Sequence, residues 1–137
     1  MSLESALATY WLADPQLTAL VGQHIYPITA KQSAPLPYMT WQRLSEVPTY
    51  HMGGRSNLTS ATVQVECWAD TSPQVAALAQ AFLALCDRTF QDTQENIDIR
   101  HLTIVNDIDV PQTPDDGGQQ GVFCRAIDLQ IWYRQIL

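Results

Sequence analysis

The sequence is short of charge. Asp, Glu, Lys and Arg make up 15% of its 137 residues, against roughly 25% in an average soluble protein. The basic side is the poorer: seven Lys and Arg face fourteen Asp and Glu, a formal net charge of −7. So few cations release few counterions from a nucleic-acid backbone, which argues against sequence-specific DNA or RNA binding. A basic amphipathic helix suited to a membrane surface is absent, as is an apolar run long enough to cross a bilayer. The start of the chain carries Glu4 and no basic stretch, so it does not read as a secretory leader. Gln, Thr and Ala fill positions that Lys and Glu would normally hold. Either this surface is covered by a partner, as charge-depleted interface cores are, or the composition has drifted. The residues alone leave both readings open.

Reactive constellations are also missing. The three cysteines, Cys67, Cys86 and Cys124, are odd in number and lack zinc-site spacing. Each lies in an apolar context, where cysteine behaves as a small hydrophobe, so they read as reduced thiols of a protein made in a cytoplasm. His24, His51 and His101 sit in separate segments, without the i,i+4 pairing of a zinc protease. Asp107, Asp109, Asp115 and Asp116 cluster but lack the calcium-loop pattern; they read as a solvated acidic hairpin. Neither a dinucleotide fingerprint nor a phosphate-binding loop is present. Gly53-Gly54-Arg55-Ser56-Asn57 could cradle an anion or be a mobile tip. Glu46, Glu66 and Asp70 would make an acid–base set only if tertiary structure gathered them. The expectation is a protein that is not an enzyme, with no catalytic residue, no cofactor and no metal.

What is present is a clear alternation of element types. Leu3, Ala6, Leu7, Tyr10 and Trp11 recur at helical spacing after Ser2. Asp14-Pro15 restarts the chain as cap and first helical residue, and Gly22 stops it. His24 to Pro37 reads as an extended connector, its prolines blocking a helix. Tyr38 to Leu44 reads as a strand, and Ser45 to Asn57, with its Gly-Gly pair, as a long loop, of which Tyr50 to Asn57 is expected to be poorly ordered until assembly. In Leu58 to Trp68 the residues Val63, Val65 and Cys67 take one face and Thr62, Gln64 and Glu66 the other. A helix from Ser72, its cap, to Phe90 packs Val75, Leu78, Ala79, Phe82, Leu83, Cys86 and Phe90 along one side. Its back is rich in alanine, a composition that suits close packing against a neighbour but also simply favours helix. Ile97 to Val110 is a strand of blurred phase. Pro111 to Gly121 is a wide loop. Val122 to Arg134 alternates most clearly, with Phe123, Ile127, Leu129, Ile131 and Tyr133 facing one way. The pattern predicts residues 1–137 as a single α+β domain: a mainly antiparallel, mixed sheet of four to five strands carrying two main helices, with Val63, Val65, Leu78, Phe82, Leu129 and Ile131 in the core.

Five short pieces, Asp14 to Gly22, Ile25 to Pro27, Leu36 to Tyr38, Val63 to Ala69 and Trp132 to Arg134, carry a resemblance in combination. With them the chain resembles the tail-completion or tail-terminator proteins of long-tailed bacteriophages over Leu3 to Arg134. The resemblance implies a structural protein of the virion neck, made in the bacterial host cytoplasm. Such a protein caps the head-proximal end of the tail tube, ends tail growth and helps join tail to head. The implied partners are copies of itself in a ring, six by the family's habit, the major tail tube protein and the head connector or stopper; no membrane is implied. The alternatives are another neck protein on the head side, or an unrelated small α+β binding module. No catalytic residue comes with the family. Closed rings need two different patches that meet. The candidates are the alanine back, Ala77, Ala81 and Ala84, against a sheet edge or loop of the neighbour, with Met52, Gly53, Gly54 and Arg55 as a further partner contact.

Overall fold

A computed structural model describes residues 3–27, 36–88, 92–94, 97–110 and 123–135. Two short helices open the chain. Helix α1, Leu3–Ala13, buries the expected stripe, and Trp11 sets its ring edge-on to Trp41 and to Phe82, with centroids 5.5 Å from each. Helix α2, Pro15–Val21, starts where Asp14 accepts a hydrogen bond from the Leu17 amide at 2.9 Å. That carboxylate satisfies an amide with no helical partner of its own. The helix ends at Gly22, whose φ of 60° suits glycine and strains other residues. Its amide closes on the Thr18 carbonyl at 2.7 Å.

The connector that follows contains strand β1, Ile25–Pro27, and then β2, Tyr38–His51. β2 is twice the expected length. It pairs with β3, Gly54–Ala69, out to His51 opposite Gly54. The segment expected as a loop, Ser45 to Asn57, is therefore a hairpin with a two-residue turn, Met52-Gly53. Bulges between Arg43 and Ser45 and between Pro48 and Tyr50 shift the facing of β2, which is why its alternation is not readable past Leu44. Gly54, at φ 120°, is where the turn needs glycine.

Helix α3, Ser72–Arg88, crosses from the sheet end. Its cap is Thr71, one residue earlier than expected: the hydroxyl accepts from the Gln74 amide at 3.3 Å and the carbonyl from the Val75 amide at 3.1 Å. Phe90 lies outside the described residues. The chain continues through β4, Asp92–Gln94, β5, Ile97–Val110, and β6, Phe123–Gln135. The strands form one sheet in the order β1-β2-β3-β6-β5-β4. β1 is parallel to β2 and the other pairings are antiparallel. The fold is the expected α+β with a mixed sheet, widened to six strands by two three-residue strands too short to show a period.

The three helices cover one face of this sheet. Val63, Val65 and Cys67 of β3 stand beside Leu129, Ile127 and Arg125 of β6, because directly opposed residues share a face. Leu78 and Phe82 of α3 pack on them, and all the expected core positions are buried. Leu85 joins them, unforeseen, while Phe123 keeps the facing of Ile127 and Leu129 but lies exposed at the strand end. At one end Arg125 grips Asp107 with two hydrogen bonds of 2.6 and 2.5 Å, tying β6 to β5.

Candidate assembly surfaces

The reactive side chains are scattered and quiet. Burial raises the thiols of Cys86 and Cys124 to about 12, helped by the charges of Asp87 and Glu66 respectively. Cys67 is pushed up further, chiefly by burial. A thiol held protonated is a poor nucleophile and a poor metal ligand. His24 shares a hydrogen bond with the Tyr26 hydroxyl at 2.8 Å, and His101 with Thr103 at 2.6 Å. Among the described residues no three of His, Cys, Asp and Glu are placed to hold a metal ion. The carboxylates are not gathered either. Glu46 accepts from Arg43 and from the Tyr133 hydroxyl on the helix side. Glu66 stands opposite Thr40 on the other side of the sheet, and Asp70 is exposed at the start of α3. Asp115 and Asp116, with the Pro111 to Gly121 loop, lie outside the described residues.

Three surfaces remain. The first is the back of α3. Ala77 is exposed there, but Ala81 and Ala84 are half-buried and Ala81 packs against the core. The second is the β2–β3 hairpin. β3 pairs with β6 from Leu58 onward, so the turn of Met52, Gly53, Gly54 and Arg55 projects past the sheet. Met52 is wholly exposed and Tyr50 is 70% exposed. The third is the sheet face turned away from the helices. Tyr38 stacks on Trp68, whose indole N–H donates to Thr40 at 3.1 Å. Gln42 and Gln64 pair across the strands, as do Gln130 and Ser60. Glu66 and Asp128 are its charged members toward the Tyr38 end. The arginines Arg43 and Arg125 are on the helix side, opposed to Val63 and Cys67. Arg134 and Arg100 are held by Asp98 at the far end.

Beside these surfaces lies an open groove of about 480 Å³ between α1 and β2, where Arg43 pairs with Glu4 at 3.1 Å near Ser5 and Gln42. The family model for the tail completion protein gp17 matches residues 5–134. The chain belongs to the tail completion protein gp17 family. It is a structural protein of the phage tail. Comparison with curated proteins gives no match. Among solved structures, a chain of the "Virion of native gene transfer agent (GTA) particle" is similar with a TM-score of 0.66 at 18% identity, covering 98% of this chain and 94% of that one. At that identity the likeness is one of fold. Sequence reasoning singled out Met52 to Arg55 and the α3 alanines as candidate contacts by their glycines and alanines, and the structure places the first at a hairpin turn. The same reasoning missed the apolar residues carried by the outer strands, Leu44, Val47, Val105 and Ile108, all about half exposed or more. Alternation broken in two otherwise apolar strands was the signal that could have pointed to them.

Proposed function

We propose that this tail completion protein closes the head-proximal end of a tail tube as a six-membered ring, stops tube growth and presents a docking face to the head connector. The observation that carries the reading is the family match over nearly the whole chain. The projecting, apolar-tipped hairpin is in keeping with it. Met52, Gly53, Gly54 and Arg55 at the hairpin tip and Ala77 on α3 are surfaces offered to the tube protein, the connector or a neighbouring copy. The net charge of −7 suits a ring through which DNA passes without being held, since like charge repels phosphate.

A phage or gene-transfer particle lacking the gene tests the proposal. Lysates viewed by electron microscopy should show filled heads separate from tails of irregular length. Normal joined particles would sink it.

A further inference from the structure

The sheet face turned away from the helices is uneven at its Tyr38 end. Following the register across the sheet, Tyr38, Trp68, Cys124 and Val110 share one row. Thr40, Glu66, Ala126 and Ile108 share the next, and Gln42, Gln64, Asp128 and Asn106 the one after. Directly opposed residues share a face, so all of these look away from the helices. On β6 the first two rows hold small side chains. Cys124 and Ala126 are buried, yet neither packs into the core cluster beneath the helices, so taller neighbours on this face shelter them. β3 supplies Trp68 and Glu66. β5 supplies Val110 and Ile108, the latter 47% exposed. The result is a short trough with a floor of Cys124 and Ala126, and Asp128 closes its inner end.

The trough carries the chemistry of a cation site. Trp68 sets one face of its ring against Tyr38, centroids 6.1 Å apart, and its N–H donates to Thr40. The indole therefore leans toward β2 and turns its other face to the trough. Glu66 leans the opposite way: Cys124 Sγ donates weakly to its Oε2 at 3.9 Å, which sets the carboxylate over the floor. Asp128 Oδ1 is shielded from solvent and accepts no hydrogen bond among the described residues. Such an oxygen is destabilising without a donor, and an incoming N–H relieves it. No described cation of this chain serves this end. Arg43 and Arg125 hold carboxylates on the helix side. Arg134 is about 20 Å away along β6 and is held, with Arg100, by Asp98. Residues 111–122, which follow β5 at this end, include no Lys or Arg. We infer that the trough takes an arginine side chain from a segment of another protein. The aliphatic stem lies over Cys124 and Ala126 against Ile108, as long charged side chains cover apolar surface. The guanidinium stacks on Trp68 and donates to Glu66 and Asp128. These carboxylates are diagonal neighbours on β3 and β6, about 7 Å apart at their Cβ atoms, a span that one guanidinium bridges. The described arginines of this chain already hold carboxylates, so the source is a different protein rather than a second copy.

Titration of the purified, isotope-labelled chain with the peptide acetyl-Gly-Ala-Arg-Ala-Gly-amide tests the site, and its outcome is independent of the ring reading. The four indole N–H resonances report it, with Trp68→Phe identifying the Trp68 signal. That signal should shift saturably, while those of Trp11 and Trp41, which face each other on the helix side, should stay in place. The same peptide with citrulline, which keeps the shape of arginine without its charge, should bind about tenfold more weakly or worse. The arginine peptide should lose as much on Asp128→Asn and on Glu66→Gln, each measured on protein of unchanged melting temperature; two near-isosteric variants keep the test open if one of them fails to fold. No saturable shift at Trp68 would overturn the site. Equal binding of the citrulline peptide, or undiminished binding to a folded Asp128→Asn or Glu66→Gln chain, would overturn it as a cation site. A Trp68 signal that moves with protein concentration alone would show a second copy filling the trough and overturn the assignment to another protein.

Discussion

The inner strands β3 and β6 and the outer strands β2 and β5 are similar in length and opposite in character. β3 and β6 pair without a register shift from Leu58 opposite Arg134 to Ala69 opposite Phe123. Along β3 every second residue from Thr59 to Ala69 is buried. β2 and β5 each carry two register shifts, and most of the exposed large apolar residues lie on them or on their turn. A strand that serves only its own core has no reason to break phase or to show Leu44, Val47 and Val105 to water. The inner pair forms the centre of the core, and the outer pair shows apolar side chains to solvent.

Substitution in the centre should break the molecule. Phe82→Ala removes the largest fully buried side chain and should cost about 3–5 kcal/mol, with Leu129→Ala at about 2–5 kcal/mol, in urea unfolding. Neither would leave the melting temperature in place if the inner strands and α3 form the core. Where the inner and outer strands are tied together the effect should shrink. Arg125→Ala breaks the paired hydrogen bonds to Asp107, whose side chains are 26% and 25% exposed, and should cost about 1 kcal/mol, near the upper end for a partly exposed pair.

The buried thiols sharpen the same contrast through pH. In the folded chain Cys86 and Cys124 keep their protons up to about 12, while the unfolded chain releases them near 9.0. Unfolding therefore gives up protons between those values, and stability from these groups falls as pH rises through that window and is flat below it. Denaturation midpoints on either side of pH 9.0 should show the fall, and Cys86→Ala or Cys124→Ala should flatten it. The smallest effect on stability belongs to the periphery. Tyr50→Ser, Met52→Ser and Ala77→Glu should each shift unfolding by no more than about 0.5 kcal/mol. Ala81→Glu should cost more than Ala77→Glu, because Ala81 packs on the core.

The parts legible in the sequence are those whose period is set by one neighbour layer. Val63, Val65 and Cys67, or Leu129 and Ile131, alternate because helices cover one side and nothing else disturbs the phase. The stripe from Leu3 to Trp11 and the Asp14-Pro15 and Gly22 signals were readable because caps and helical faces are local. β2 was not readable beyond Leu44 because its bulges shift the alternation at Ser45 and again at Tyr50. Gly53-Gly54 then looked like the tip of an open loop instead of the end of a long hairpin. β5 blurred for the same reason, with shifts after Ile99 and Ile104. The position of each strand in the sheet was not readable, since it is defined by which strands lie beside it. That depends on an order, β6 next to β3, that no local pattern encodes.

That same strand order dictates a sequence of events during folding. The hairpins β2–β3 and β5–β6 join residues near in the chain, whereas β3 and β6 are separated by α3, β4 and β5. Contacts of large sequence separation form late because loop closure precedes their reward. The two hairpins should therefore appear first, and their zippering along β3 and β6, with α3 swinging onto the joined face, should limit the rate. On a ribosome the first hairpin emerges complete while its eventual partner strand is still unmade. Until β6 arrives, the β3 edge it will cover is open to nascent chains nearby, and prompt synthesis of that thirteen-residue strand should guard against pairing with the wrong copy.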